Sequence, residues 1–268
     1  MDENPNPVSV IIATKNEQHN LERLLSSLKA QTFKNFEVIV VDNFSTDDTF
    51  QIAAKYTPYV FKAGNERSAQ RNFGLKHAKG RYVLFLDADM RLEKSIIEEC
   101  IQKMGTDQKL TAITINEVST GTSFVARIKK VEKQIYRKVA EIEAPRFFKR
   151  RDILKIGAYD KNLISGEDWD LAQRISKIGA IGRIGAVIFH HETNSLFADI
   201  KKKFYYAKHI AKYSRKNPKA FQKQASLSWR FLALFKKPKI IAKYPREFLG
   251  LLALKSAQYL AYLLAKVQ

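Results

Sequence analysis

Apolar and polar positions follow two alternating patterns in the first part of the chain. Continuous apolar runs of strand length occupy residues 8–14, 37–42 and 82–87. Stretches with apolar side chains at helical spacing lie between them, at residues 20–30, 47–56 and 66–78. Runs without a polar face are typical of strands buried on both sides of a parallel sheet. The alternation predicts βαβ units, and hence an α/β fold whose mostly parallel central sheet binds its ligand beyond the carboxyl ends of the strands.

A longer helical pattern runs from residue 123 to about 142. Apolar side chains recur there every three or four positions, and the other face is rich in lysine and arginine. This spacing predicts a basic amphipathic helix. Packing against the protein core and lying on an acidic membrane surface both account for such a helix.

The last long apolar stretch runs from Phe248 to Ala265. A bilayer-spanning helix takes about 20 largely apolar residues, but Lys255, Ser256 and Gln258 interrupt the middle of this one. Its polar side chains form one helical stripe, namely Lys255, Gln258, Tyr259, Tyr262 and Lys266. The opposite stripe holds Leu249, Leu252, Leu260, Leu263 and Leu264. We therefore expect a helix lying in the plane of a membrane surface, and the alternative is a helix that packs on the domain or on a second subunit.

Composition narrows the class of protein. The 268 residues can form one large α/β domain or a core domain with an appendage, and 45% hydrophobic residues exclude a disordered chain. The single cysteine, Cys100, excludes an internal disulfide framework and a cysteine-based zinc cluster, and it suits a reducing compartment. Residues 1–5 are polar and acidic and do not resemble a secretion signal. We expect the protein on the cytoplasmic side of the membrane.

The charge is strongly positive and unevenly distributed. A net charge of +20 at pH 7 favours an anionic partner such as nucleic acid, acidic lipid or a phosphorylated substrate. From His191 to Gln268 there are 17 basic and 3 acidic side chains, whereas the first 190 residues are nearly balanced. The contrast predicts a domain over residues 1–192 followed by a basic, helical C-terminal extension over residues 193–268.

Three features of the sequence could carry chemistry. Asp87 and Asp89 follow an apolar strand, where two carboxylates can converge on Mg²⁺ or Mn²⁺ and so hold a diphosphate. The acidic run 167–170 opens a helix, where it either satisfies the helix dipole or presents a general base to a cleft. His190 and His191 end the apolar strand 184–189, where one of them is either structural or a further metal ligand.

These features are collinear with the motifs of a known family. The matching stretches are 8–17 with Asn20 and Leu21, 41–49, 68–74, 85–89 and 166–170. Together they resemble the inverting family 2 glycosyltransferases of the GT-A fold, over residues 8 to about 192. The extension beyond His191 is not part of the general family pattern.

The resemblance implies a donor site for a UDP- or GDP-sugar. Thr14 and Glu17 would line the nucleoside pocket, and Asp42 would hydrogen-bond the nucleobase. Arg71 would stand near the diphosphate or hold the aspartates in place, and Asp87 would meet the ribose and the diphosphate. The family often has a second aspartate where this chain has Asn43, which leaves the nucleobase open.

The resemblance also implies a metal site and a catalytic base. Asp89, with Asp87 beside it, would bind Mg²⁺ or Mn²⁺, and His190 rather than His191 would be the remaining ligand. Asp168 would be the base that deprotonates the acceptor, and Glu167 would contact the acceptor. With a phosphate acceptor, already ionised, Asp168 would only position it.

The implied function is inverting sugar transfer to a lipid-linked, polyprenyl-phosphate or polysaccharide acceptor. Because the extension is basic and apolar, we expect a peripheral or monotopic enzyme on an anionic membrane surface. One alternative is a soluble glycosyltransferase whose C-terminal helices form a homodimer. Others are a non-catalytic nucleotide-sugar binder and a nucleic-acid-binding protein. We expect no nucleic-acid partner, because the chain has no zinc-finger or RNA-binding aromatic signature.

Overall fold

The computed structural model describes residues 7–139, 141–192, 195–226, 230, 232, 234–235 and 237–267. The polar start of the chain and residue 193, where the extension was predicted to begin, lie outside the described residues. So do the side chains of Leu263, Leu264 and Lys266.

The described strands form one mixed sheet. They are β1 (Val8–Thr14), β2 (Phe36–Asp42), β3 (Val60–Lys62), β4 (Tyr82–Asp87), β5 (Met90–Leu92), β6 (Leu110–Thr120), β7 (Phe147–Lys149) and β8 (Ala180–His191). Their spatial order is β3-β2-β1-β4-β7-β6-β8-β5. Strand β1 pairs in parallel with β2 and β4, and β2 pairs in parallel with β3, as the apolar runs predict. Strand β7 is antiparallel to both β4 and β6.

Helices connect the strands and make up most of the C-terminal part. They are α1 (Gln18–Lys29), α2 (Thr49–Ala54), α3 (Arg67–His77), α4 (Ile96–Thr106), α5 (Phe124–Tyr136), α6 (Arg150–Lys155), α7 (Glu167–Ser176), α8 (Leu196–Lys216), α9 (Pro218–Ala225), α10 (Pro238–Lys243) and α11 (Pro245–Val267). Within the described ranges, no helix is long and apolar enough to cross a membrane.

The chain divides into two compact units. The first unit comprises Met1–Asn116, Ala144–Lys161 and Asp170–Phe189, and the second comprises Glu117–Glu143, Asn162–Trp169 and His190–Gln268. In the first unit, side chains of β1 alternate between two apolar clusters, with Ile12 in one and Ile11 in the other. Because the strand is buried on both faces, it needs no polar positions. Cys100 is fully buried in the first cluster, and burial raises the pKa of its thiol well above the ordinary value.

The second unit has its own apolar cluster, between α5 and α11. Ile128, Val131 and Ile135 of α5 are buried with Leu251 and Leu254 of α11. Of the two explanations for the amphipathic pattern, packing inside the protein is therefore the one the structure shows. The helix is shorter than predicted and ends at Tyr136, because Arg137 has an extended ψ of 129° and Lys138 after it has a left-handed φ of 71°.

The polar stripe predicted on the last helix faces protein in part. Lys255 forms an ion pair with Glu132 of α5, and Gln258 donates a hydrogen bond to Asp199 of α8 at 2.8 Å. These two polar groups therefore contact protein, as the alternative of packing on the domain predicts for them. Leu249 and Leu260 of the same helix remain 66% and 58% exposed.

Candidate functional site

Three of the predicted donor-site residues end neighbouring parallel strands of the first unit. Thr14 and Asp42 are the last residues of β1 and β2 and are paired in register, and Asp87, the last residue of β4, pairs with Ala13. Carboxyl ends of parallel strands meet at one edge of a sheet. The structure thus brings Thr14, Asp42 and Asp87 together at the edge where the sequence predicts a ligand.

The loops after β1 and β2 are hydrogen-bonded to each other. The backbone N–H of Asn16 donates to Ser45 Oγ at 2.8 Å, and that of Glu17 donates to Thr49 Oγ1 at 2.7 Å. The Glu17 carboxylate, predicted in the nucleoside pocket, accepts a hydrogen bond from Asn20 Nδ2 at 2.8 Å. The rim of the site is therefore fixed by contacts between residues about 30 apart in sequence.

Asp42 is fully buried and holds the turn that follows it. Its carboxylate accepts hydrogen bonds from the backbone N–H of Ser45, at 2.8 Å, and from the Ser45 hydroxyl. Thr14 Oγ1 is also buried, and none of the described residues gives it a hydrogen-bond partner. An unsatisfied buried hydroxyl is costly, so Thr14 is suited to bond a ligand at this edge.

The turn after Asp42 contains a strained residue. Phe44 has a φ of 48°, in the left-handed region that side chains with a Cβ disfavour, and it is 59% exposed. We expect Phe44→Gly to be more stable than Phe44→Ala by about 1 kcal/mol, because only glycine adopts this conformation without strain. Urea unfolding of both variants measures the difference. Equal stability, or a more stable alanine variant, would contradict the strain.

Asp87 lies between two guanidinium groups. Arg71 Nη2 contacts Asp87 Oδ1 at 2.8 Å, and Arg146 Nη2 contacts Asp87 Oδ2 at 3.3 Å. Arg71 is fully buried, with its guanidinium 5.1 Å from the ring centroid of Tyr159. Burial raises the pKa of Asp87, but the charges of Arg71, Arg146 and Arg67 outweigh it, so that the pKa lies well below its ordinary value. Asp87 is therefore a fixed anion. Of the two roles predicted for Arg71, its contact with Asp87 agrees with holding the aspartates in place.

Sequence reasoning missed Arg146. It precedes β7, and its carbonyl accepts a hydrogen bond from the Phe85 N–H at 2.9 Å, which places it beside β4. Strand β7 has only three residues and pairs antiparallel with β4, so hydropathy gives no sign of it. The only signal was the basic composition of residues 146–151.

Asp89 offers a carboxylate oxygen, the ligand type that hard divalent cations prefer. Asp89 lies two residues beyond the clamped Asp87, and its Oδ1 atom is buried. The two arginines compete with any cation for the oxygens of Asp87, so Asp89 is the better metal ligand of the two. Within the described ranges, no three His, Cys, Asp or Glu side chains group so as to hold a metal by themselves. The metal-binding roles of Asp87, Asp89 and His190 remain predictions.

The predicted base lies at the start of α7. Glu167 is buried, whereas Asp168 is half-buried. In the second unit, Trp169 Nε1 donates to the carbonyl of Ile142 at 2.9 Å, and Gly166 has a φ of 80° that only glycine adopts readily. Of the carboxylates predicted to act on the acceptor, Asp168 is thus the more accessible to solvent.

The next acidic side chain of α7 belongs to the first unit and has a structural role. Asp170 is 1% exposed and pairs with Arg174 at 2.8 Å. Arg174 also donates hydrogen bonds to the carbonyls of Ile156 and Ala158, both at 2.7 Å. The acidic run therefore contains a structural anion and an accessible carboxylate two residues apart.

His190 belongs to a buried charged network in the second unit. Its Nδ1 lies 3.2 Å from Glu192, which Lys129 and Lys133 approach at 3.3 Å each. Burial raises the pKa of Glu192, but the contacts with His190, Lys133 and Ser119 outweigh it and leave the pKa far below its ordinary value. His191, the alternative ligand, is half-buried in the same strand end. Glu192 was missed by sequence reasoning, although it directly follows the two histidines.

Solved structures share this architecture. S. aureus TarS 1–349 in complex with UDP-GlcNAc superimposes with a TM-score of 0.57 and 18% identity, over 95% of this chain and 88% of that one. The mannosyltransferase PcManGT from Pyrobaculum calidifontis, in complex with GDP-Man and Mn²⁺, gives a TM-score of 0.60 and 20% identity, over 98% of this chain and 88% of that one. The fold is the GT-A fold of nucleotide-sugar-dependent transferases, as the motifs imply.

The chain belongs to glycosyl transferase family 2, whose model matches residues 9–161. A relative with a stated acceptor is the Escherichia coli UDP-Glc:alpha-D-GlcNAc-diphosphoundecaprenol beta-1,3-glucosyltransferase WfaP, 38% identical over 106 residues, which are 38% of this chain and 42% of that protein. The chain spans about a third or less of the length of the first curated relatives it matches.

Proposed function

We propose that this protein is an inverting glycosyltransferase that moves a sugar from a UDP- or GDP-sugar to a lipid-linked or polysaccharide acceptor. The observation that carries the proposal is the edge of the sheet at which Thr14, Asp42 and the arginine-clamped Asp87 meet. Family membership supports the transferase class. The structural neighbours named with UDP-GlcNAc and with GDP-Man support a nucleotide-sugar donor.

The donor is held by residues of the first unit. Asp42 accepts hydrogen bonds from the nucleobase, and Thr14 supplies the hydroxyl that lacks a partner among the described residues. Glu17 lines the nucleoside pocket, and Asp87 meets the ribose and the diphosphate. Because Asp87 is ionised and fixed, it accepts hydrogen bonds from sugar hydroxyls without first rearranging.

Asp89, with Asp87 beside it, would hold a divalent cation in the first unit, and His190 is the further ligand that the family resemblance implies; no three such side chains of the described residues group by themselves. The chemistry that bound Mg²⁺ or Mn²⁺ supplies is Lewis-acid stabilisation of the departing diphosphate. The complex of PcManGT with GDP-Man and Mn²⁺ is consistent with such a requirement.

Transfer proceeds by a single displacement. The acceptor oxygen attacks the anomeric carbon, the bond from that carbon to the diphosphate oxygen breaks, and configuration inverts. Asp168 takes the proton of an acceptor hydroxyl, and Glu167 contacts the acceptor. If the acceptor is a phosphate, it is already ionised, and Asp168 then orients it.

The acceptor is membrane-bound in this proposal, and the protein works as a peripheral or monotopic enzyme at the cytoplasmic face. The net charge of +20 supports attraction to an anionic leaflet. The diphosphoundecaprenol in the name of WfaP supports a lipid-linked acceptor.

Calorimetric titration with UDP-GlcNAc, GDP-mannose, UDP and GDP, each with and without Mn²⁺, tests the donor site. We expect either the two uridine ligands or the two guanosine ligands to bind, and to bind more tightly with Mn²⁺. Asp42→Asn should weaken this binding at least about tenfold. Asp48→Asn, an exposed aspartate of the same loop, is the matched control and should bind like the wild type. If none of the four ligands binds in either condition, the proposed function is wrong. Binding without any transfer or donor hydrolysis would instead favour the non-catalytic binder.

A further inference from the structure

Helix α8 of the second unit has one face buried in that unit. Asp199 and Tyr213 on this face are 3% and 0% exposed. Asp199 accepts a hydrogen bond from Gln258 at 2.8 Å and pairs with Lys129 at 2.5 Å. The Tyr213 hydroxyl donates to Gln224 at 2.8 Å. These contacts leave the opposite face of α8 as its outer surface.

The outer face of α8 carries a regular stripe of cationic and aromatic side chains. Successive helical residues turn by about 100°, so positions three or four apart lie on the same face. This basic–aromatic stripe consists of Phe197, Lys201, Tyr205, Lys208, Lys212 and Arg215, all of them exposed. It extends along about 27 Å of helix.

The stripe is complementary to an anionic surface. Helix α8 contains seven basic side chains and one acidic side chain, and the acidic one, Asp199, lies on the buried face. The positive charge of the stripe is therefore not neutralised by an acid of its own helix.

The exposed apolar end of α8 favours a lipid bilayer over a nucleic acid. Phe197 is 76% exposed and its neighbour Leu196 is 47% exposed, at the end of α8 where the stripe begins. Lysines alone would bind either polyanion. A ring next to them can also stack on a nucleic-acid base, but the aliphatic Leu196 gains chiefly by entering the boundary between lipid headgroups and acyl chains.

We propose that the basic–aromatic stripe of α8 is the surface by which this protein docks on an anionic membrane. Helix α11 is less suited, because Lys255 and Gln258 of its polar stripe are engaged by Glu132 and Asp199. The proposal rests on the membrane-bound acceptor of the proposed function, and it does not depend on the catalytic assignments. It deepens that function by naming the surface that meets the lipid.

Co-sedimentation of the full chain with vesicles tests the docking surface. The vesicles contain phosphatidylcholine with about one-third phosphatidylglycerol, and pure phosphatidylcholine vesicles give the background. Each lysine near an anionic leaflet contributes about fivefold in affinity, so the triple variant Lys201→Gln, Lys208→Gln, Lys212→Gln should bind about 100-fold more weakly. The matched control, Lys29→Gln, Lys55→Gln, Lys103→Gln, removes the same charge from exposed positions of the first unit and should stay within about threefold of the wild type.

Phe197→Ser separates insertion into lipid from simple charge attraction. High salt screens the lysines, so we expect the wild type to bind vesicles more weakly there but still measurably. The Phe197→Ser variant should show no vesicle binding in high salt, because it lacks the ring that enters the lipid. The docking proposal fails if the stripe variant binds vesicles like the control variant. It also fails if single-stranded or duplex DNA displaces the wild type from vesicles and if the triple lysine variant loses more affinity for that DNA than for the vesicles.

Donor binding distinguishes the two proposals. Titration with UDP-GlcNAc and GDP-mannose should give the same affinity for the wild type and both triple variants, which also shows that the variants are folded. Stripe-dependent vesicle binding without any donor binding would refute the proposed function and leave the docking surface intact. Donor binding with stripe-independent vesicle binding would refute the docking surface alone.

Discussion

Replacing Asp168 with asparagine is expected to lower turnover with a hydroxyl acceptor by about 10³-fold, the usual contribution of a general base. Donor affinity should not change, because the donor contacts proposed above lie in other residues. The measurement is nucleoside diphosphate released from the donor that binds, with a GlcNAc-diphosphate-polyprenol as acceptor. With polyprenyl phosphate as acceptor the loss should be much smaller, because an ionised oxygen needs no base.

Asp170→Asn is the matched control for this prediction. Asp170 is 1% exposed and paired with Arg174, so its replacement should lower the free energy of unfolding by about 3 kcal/mol. At a temperature where the variant is folded, its turnover should remain near that of the wild type. If Asp168→Asn turns over a hydroxyl acceptor at the wild-type rate, or if Asp170→Asn is the variant that loses turnover while folded, the base is misassigned.

Replacing Arg71 with methionine is expected to lower the free energy of unfolding by about 3–5 kcal/mol. The guanidinium is fully buried and bonds Asp87 at 2.8 Å, so its loss removes a partner from a carboxylate that is only 19% exposed. Arg146→Met should cost about 1–2 kcal/mol, because its contact with Asp87 is longer and Arg71 still remains. Chemical denaturation monitored by tryptophan fluorescence measures both.

A double-variant cycle isolates the pair. Arg71→Met combined with Asp87→Asn should cost less than the sum of the two single changes by about 1–3 kcal/mol, because the second change removes the charge that the first leaves unpaired. Arg151→Met is the control, since Arg151 is 81% exposed and its ion pair should contribute little. The buried pair is not coupled if Arg71→Met is as stable as Arg151→Met. It is also not coupled if the losses in free energy of unfolding of the two single variants add up to that of the double variant.

The parallel strands were predictable because burial on both faces dictates their composition. The apolar runs 8–14 and 82–87 coincide with β1 (Val8–Thr14) and β4 (Tyr82–Asp87) residue for residue. Helix ends were less accurate: the stretch predicted over 47–56 is helical only over Thr49–Ala54. Side-chain hydrogen bonds and backbone angles decide such ends, and hydropathy does not register them.

The candidate site was predictable where it depends on strand ends and not where it depends on tertiary pairing. Thr14, Asp42 and Asp87 follow apolar strands that any parallel arrangement brings to one edge. Arg146 and Glu192 are recognisable only once β7 is paired with β4 and once the lysines of α5 are near the end of β8. Lys255 shows the same limit, since its polarity is visible in the sequence and its partner Glu132 is not.

The buried thiol gives the molecule an experimental convenience. Cys100 is 0% exposed, and thiols react as thiolates, so the native fold should leave it inert to maleimides. A single cysteine introduced at position 197 or 208 can then carry a spin label or fluorophore without removal of the natural one. Quenching by lipid-bound probes would report how deeply the first turn and the middle of α8 enter a bilayer.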